Sequence, residues 1–253
     1  MATFVLVHGA WHGGWCWRTV KTILEQAGQT VFAPTLTGLG DRSHLLSPDI
    51  DLDVHIADVV NLLEWEELDD VVLVGHSYGG MVITAVADRA KRRLRHVVYL
   101  DAFLPADGES SASHIVGLMK PGATQADFDA EVARRRGAAN AEGGGVPDTD
   151  RLFDIPEDLK AQREWVKRRV TPHPVGTQIT PIRLSNGGSD GLPRTFILCA
   201  GAPGRTPFML LADRLHDAPG WTYRELDTTH DAMVTMPAET ARLLIEAADA
   251  EGE

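Results

Sequence analysis

The tract Val71-Val-Leu-Val-Gly-His-Ser-Tyr-Gly-Gly80 constrains the fold more than any other part of the chain. Its four aliphatic residues read as a buried strand, and helical spacing begins at Met81, so only a very tight turn is left to join the two. A serine at the centre of Gly-x-Ser-x-Gly in that turn is pushed into strained backbone geometry, while Gly75 and Gly79 let neighbouring chain pass closely. Such a turn lifts the Oγ of Ser77 clear of the strand end.

The same strand-then-helix rhythm recurs along the chain. Short apolar runs rich in β-formers at 3–7, 30–34, 71–74, 97–100, 195–200 and 221–226 each read as a strand. Helical spacing occupies 17–27, 56–63, 81–91, 207–215 and 237–248, with Pro207 and Pro237 at first-turn positions. Alternation of this kind predicts an α/β fold with a doubly wound, mostly parallel sheet whose ligands bind at the carboxyl ends of the strands. Residues 104–193 break the rhythm with Gly143, Gly144 and Gly145, with Pro172 and Pro174, and with Gly187 and Gly188. That segment reads as an inserted, mainly helical cap on a core made of 1–103 and 194–253. Its glycine-rich stretch at 138–146 reads better as a flexible loop.

Composition excludes several classes. Hydrophobic residues at 43% and charged residues at 24% match soluble globular usage, which rules against a disordered or membrane-spanning chain. A net charge of -12 repels nucleic-acid phosphates and anionic lipid, and Arg134, Arg135 and Arg136 form too short a basic run to reverse that. The expected partner is a small molecule rather than nucleic acid or a membrane, and homodimerisation is left open. With no basic and apolar leader before the first strand, the expected location is cytoplasmic. Cys16 and Cys199 stand far apart among apolar residues and read as core thiols, so neither metal nor cofactor is implied.

A serine hydroxyl needs a base from the same sheet edge, and His230, just after the last strand and before the last helix, meets that need. Acyl transfer also places negative charge on oxygen, which preorganised N–H donors stabilise. Tyr78, at a helix N-terminus, supplies one donor. Ala10, in the loop after the first strand, supplies the other.

At this point a resemblance emerges. Phe4-Val-Leu-Val-His-Gly-Ala-Trp-His-Gly-Gly-Trp-Cys-Trp17, Gly75-His-Ser-Tyr-Gly-Gly-Met81 and His230-Asp-Ala-Met233 resemble the plant methylesterase and hydroxynitrile lyase branch of the α/β-hydrolases. Pro34-Thr-Leu-Thr-Gly-Leu-Gly-Asp-Arg-Ser-His44 and Val98-Tyr-Leu-Asp-Ala-Phe103 are similar to bacterial carboxylesterases of that branch, including pyrethroid hydrolases. The resemblance implies an α/β-hydrolase fold with a helical cap, ester cleavage without a metal, and an apolar acyl or alcohol pocket. Lyases of the branch carry threonine where this chain has Gly9 and lysine where it has Asp231, which lowers the lyase reading below the esterase one.

The family's usual triad acid lies in the loop after the fifth strand of the core, yet that loop reads Gly201-Ala-Pro-Gly-Arg-Thr-Pro207, without a carboxylate. An imidazole lacking its acid loses orientation, which costs about 10⁴ in turnover. Asp101, closing the preceding strand, is the first candidate, because the fold accepts an acid there. A turn residue at a strand end is its bland alternative. Asp227 is second, on the loop of His230, and Asp231 is expected to point away. Catalytic Ser77, His230 and Asp101, with the N–H groups of Ala10 and Tyr78 as the oxyanion hole, therefore form the expected site of a carboxylesterase for small or medium apolar esters. Trp11, Phe103, Trp165 and Met233 are the expected substrate contacts, with Tyr78 beside them. The rivals are a degenerate hydrolase that only binds a small molecule, and carbon–carbon lyase chemistry.

Overall fold

The computed structural model describes residues 1–139, 144–147 and 155–250. In chain order its strands are β1 (Thr3–Val7), β2 (Thr30–Phe32), β3 (Val71–His76), β4 (Leu94–Leu100), β5 (Gly145–Val146), β6 (His173–Pro174), β7 (Arg194–Cys199) and β8 (Trp221–Leu226). The helices are α1 (Arg18–Gln26), α2 (Leu52–Trp65), α3 (Gly79–Ala90), α4 (Ser111–Met119), α5 (Gln125–Ala138), α6 (Lys160–Lys167), α7 (Val175–Ile179), α8 (Pro207–Leu215), α9 (Ala232–Thr235) and α10 (Pro237–Asp249). Six strands form one sheet in the order β2-β1-β3-β4-β7-β8, and every pairing in it is parallel. β5 and β6 form a separate antiparallel pair.

Both faces of the sheet are covered, which is why its strands read as continuous apolar runs rather than alternating ones. Successive side chains still point to opposite sides. Phe4, Leu6, Val72, Val74, Val98, Leu100 and Ile197 pack with Val20 and Leu24 of α1 and Leu243 and Leu244 of α10. Val5, Val7, Leu73, Val97, Tyr99, Phe196 and Leu198 pack on the other face with Ile56 and Val59 of α2, Val82 and Ile83 of α3, and Leu211 of α8. Burying each such side chain contributes roughly 1.5–3 kcal/mol.

Element ends depart from the sequence-based expectation for local reasons. β3 runs on through Gly75 and His76 because β1 and β4 offer them partners, Val7 opposite Gly75 and Leu100 opposite His76. β2 stops at Phe32, short of Pro34, which has no N–H for a ladder. α2 begins at Leu52, four residues earlier than its apolar spacing suggests, since Asp51 caps it by accepting the Val54 N–H at 3.1 Å.

β1 has β2 on one side and β3 on the other, so the winding changes direction between β1 and β3. In sheets of this kind ligands bind beside such a reversal, at the carboxyl ends of the strands. Between β4 and β7 the chain leaves the main sheet and forms α4 to α7 with β5 and β6. Gly143, like the rest of 140–143 and 148–154, lies outside the described residues. No helix among the described residues is long and apolar enough to cross a membrane.

The start of α3 sits against the loop after β4 without room to spare. A Cβ on Gly80 would lie 2.0 Å from the carbonyl oxygen of Phe103 and 2.7 Å from its nitrogen, both backbone atoms that cannot step aside. Gly80→Ala should therefore destabilise the fold by about 3 kcal/mol or more, lowering Tm by roughly 6–12 °C in a thermal melt. An unchanged Tm would contradict this packing.

Candidate active site

Ser77 stands at the crevice between β1 and β3. Its φ of 54° is left-handed, a conformation that an L-residue holds only when its surroundings impose it. They do so through the backbone: the Ser77 N–H donates to Leu100 O at 3.3 Å, and Ser77 O accepts from Gly80 N–H at 3.0 Å and Phe103 N–H at 3.1 Å. Within 71–80, Ser77 is the one residue that is not buried. The β1 loop closes on it from the side, where a Cβ on Gly9 would lie 2.9 Å from the Ser77 Cβ and 2.8 Å from His76 Nδ1. Any side chain at this position would need this loop to move.

Asp101 directly follows β4 and is also left-handed, with φ 43°. It is buried, and its N–H donates to Ile197 O at 2.7 Å. Oδ1 accepts the Cys199 N–H at 3.1 Å, and Oδ2 accepts from His230 Nδ1 at 2.6 Å. Burial is the largest influence on this carboxyl and raises its pKa above the ordinary range, while the His230 bond and the Cys199 N–H pull it back down. Asp227 is exposed on the same loop as His230. Asp231 is buried and turned the other way, its Oδ2 3.1 Å from His12 Nε2.

His230 is held at three more points. His76 Nε2 donates to its carbonyl oxygen at 3.0 Å, the His76 ring lies 4.5 Å from its own, and Phe208 stacks on it at 4.9 Å with 12° between the planes. The Ser77 hydroxyl makes no hydrogen bond with the described residues, as is common before substrate closes a site of this kind.

The β1 loop is braced by imidazoles. His8 Nδ1 donates to Gly9 O at 2.8 Å while its Nε2 accepts the Leu36 N–H at 3.0 Å. His12 Nδ1 donates to Ala10 O at 2.8 Å. Because the peptide unit is planar and trans, fixing the Gly9 carbonyl also fixes the direction of the Ala10 N–H. Neither that N–H nor the Tyr78 N–H donates to a protein group among the described residues.

A strained serine, a buried aspartate on an imidazole and two uncommitted N–H groups meet at one sheet edge. The family comparison agrees with that geometry: residues 4–243 match the model of the alpha/beta hydrolase family. The chain belongs to that family. It is 44% identical over 246 residues to a carbendazim hydrolyzing esterase of a Nocardioides species, covering 96% of this chain and 98% of that protein. Methylesterase 7 of Arabidopsis thaliana is 28% identical over 250 residues, covering 97% and 96%. An extracellular α/β-hydrolase of a Paenibacillus species superposes with a TM-score of 0.80 at 23% identity, over 99% of this chain and all of that one, a likeness of fold. The resemblance read from the motifs is thus borne out, as is the α/β-hydrolase fold. The relatives support a hydrolase acting on carboxylic esters, and they do not favour the binding-protein or lyase readings.

This hydrolase brings together some of the expected substrate contacts and not others. Phe103 is at the site, with its ring 5.1 Å from that of Phe208 and 5.5 Å from His114. Trp11 is beside it in the β1 loop, but its indole Nε1 donates to Val146 O at 3.0 Å. The Tyr78 side chain is buried and its hydroxyl is 2.9 Å from His55 Nδ1, which leaves its backbone N–H as the group at the crevice. Met233 is fully buried in the core layer of α1 and α10, so it offers no surface to a ligand. Trp165 stands edge-on to Trp15 at 4.9 Å, under the guanidinium of Arg169 at 4.8 Å, in that same layer. Sequence reasoning missed Phe208, whose signal was its place in the first turn of the helix after the acid-free loop, and it missed the histidine braces.

Buried imidazoles are numerous here and share one consequence. Burial lowers the pKa of His8 from 6.5 to about 3 and those of His55 and His96 to about 4, and it holds His76 and His173 well below 6.5. Between the lowered values and 6.5 the unfolded chain binds more protons than the native one, so stability present above pH 6.5 is lost as pH falls. Tm should drop steeply between pH 6.5 and 4.5, and His55→Gln should flatten that slope by about one proton. A Tm indifferent to pH over this window would contradict the burial of these rings.

Proposed function

We propose that this α/β-hydrolase is a carboxylesterase working through Ser77, His230 and Asp101. The observation that carries the reading is the 2.6 Å bond from His230 Nδ1 to Asp101 beside the left-handed Ser77. Ser77 Oγ attacks the ester carbonyl carbon as its proton passes to His230 Nε2, and the carbonyl π pair moves onto oxygen. The N–H groups of Ala10 and Tyr78 receive that oxyanion. Collapse of the tetrahedral intermediate breaks the bond to the alkoxy oxygen, which takes the proton from His230 and leaves as alcohol. Water then attacks the acyl-enzyme with His230 again as base, releasing the acid and restoring Ser77.

Asp101 orients the imidazole and stabilises the imidazolium that forms twice per turnover. Its burial supports this role, because an enclosed carboxylate is least screened and so interacts most strongly with the cation beside it. Phe103 and Phe208 offer an apolar wall next to His230, which suits a small or medium ester with an aryl or alkyl part. Small-molecule esters are accordingly the proposed partners, with carbendazim, the compound in the name of the 44% identical relative, worth including among them. The cytoplasmic location stays part of this reading, supported by two buried and unpaired cysteines, Cys16 and Cys199.

Hydrolysis of a short-chain aryl ester tests the assignment. Ser77→Ala should remove measurable turnover. Asp101→Asn should lower kcat by about 10⁴, since the amide leaves the geometry in place but favours the wrong imidazole tautomer. The same variant should melt no lower than the native protein at neutral pH, because it removes a buried charge whose raised pKa costs stability once pH exceeds it. Any stability advantage should fade as pH falls into the carboxylate range. Full activity in Asp101→Asn would overturn the acid assignment.

A further inference from the structure

Trp11 follows the proposed oxyanion donor Ala10 and is itself left-handed, with φ 64°. Three of the hydrogen bonds that hold it in that conformation come from the stretch between β4 and β7. Its N–H donates to His173 Nδ1 at 3.2 Å, its carbonyl accepts the Thr171 N–H at 3.0 Å, and its indole donates to Val146 O at 3.0 Å. Val146 and His173 are cross-strand partners in the two-residue pair of β5 and β6. That small ladder therefore grips Trp11 by its backbone from one strand and by its side chain from the other.

We propose that His173 is a positioning residue for the oxyanion hole, accepting the Trp11 N–H so that the adjoining Ala10 N–H stays aimed at the Ser77 crevice. This rests on the esterase reading above. Hydrogen-bond roles around the ring agree with it. Thr177 Oγ1 donates to Pro174 O at 2.8 Å, so toward His173 Nε2, 2.6 Å away, it can only accept. The Nε2 proton is thereby fixed, and Nδ1 is left as the acceptor that Trp11 requires. Burial keeps this ring neutral, as an acceptor must be.

The same ring also touches the second proposed donor. Tyr78 packs edge-on against His173 at 4.7 Å, and the Tyr78 hydroxyl donates to His55 Nδ1, whose Nε2 donates to Thr37 O at 2.8 Å. His173 thus lies between the loop that presents the Ala10 N–H and the side chain of the residue that presents the other. A shift of this ring would move both donors relative to the serine, and a donor displaced by an ångström loses much of its effect on a transition state.

The test compares native protein, His173→Phe, His173→Asn and Ser77→Ala in steady-state hydrolysis of an aryl ester. It also measures inhibition by a trifluoromethyl ketone of the same acyl chain, which adds the serine oxygen and places an oxyanion in the hole. His173→Phe keeps the ring but has no acceptor, and it should lower kcat by roughly 10- to 100-fold with little change in KM. Trifluoromethyl ketone affinity should fall in proportion. His173→Asn, whose side-chain oxygen can stand near the place of Nδ1, should recover most of both. If His173→Phe does not fold, Thr177→Val carries the test, since it leaves the ring in place and releases its tautomer. Native kcat and native ketone affinity in a folded His173→Phe, or in Thr177→Val where that is used, would overturn the proposal. Retained turnover in Ser77→Ala would instead overturn the esterase reading beneath it.

Discussion

The left-handed backbone at Ser77 is the constraint around which the site is arranged. Holding a serine at φ 54° costs of order 1–3 kcal/mol, and the neighbouring elements must supply that stabilisation. They do so with three backbone hydrogen bonds, two of which tie the turn to Leu100 and Phe103 on either side of Asp101. The Ser77 turn and the Asp101 carboxylate are consequently not independent features. Fixing one fixes the other, because the end of β4 is used twice, once to close the turn and once to present the acid.

That double use shows how a carboxylate at the end of β4 reaches His230 although the late loop has none. Asp101 is left-handed like Ser77, which points its carboxylate across the top of β7, where the Cys199 N–H takes one oxygen. The other oxygen is then aimed at His230, which arrives from the loop after β8. The vacated loop at 201–207 is free to run close under the histidine loop, Gly201 donating to Thr228 O at 2.9 Å, and to start α8 early enough to stack Phe208 on His230. A side chain at Gly201 would meet the Thr228 backbone at 2.9 Å, so no acid fits at that position.

Much of this was legible in the sequence because it depends on neighbours in the chain. The turn at Ser77, the strand ends and the position of His230 follow from local periodicity and from glycines that only a tight approach requires. Asp101 stood out by elimination as the candidate acid, once the late loop proved empty of carboxylates. What escaped were contacts that depend on packing between distant segments. Met233 and Trp165 look like pocket residues by type, yet the first is in the core and the second stands with Trp15. β5 and β6 are two residues long, too short for any period to show, and the grip on Trp11 depends on them.

The histidines show how environment rather than residue type assigns a role. His12 with Asp231 and His230 with Asp101 are both imidazole–carboxylate pairs, and they sit close together in the fold. The first is wholly enclosed, with the second nitrogen of His12 spent on the Ala10 carbonyl, so it braces the loop. The second keeps 18% of the His230 side chain open beside a carboxylate that is almost entirely shielded. The proton transfer proposed for His230 needs that asymmetry: access on one side for the substrate, and on the other an acid that water cannot screen. The same low-dielectric surroundings that hold His8, His55 and His173 neutral therefore leave the Asp101 carboxylate unscreened beside His230.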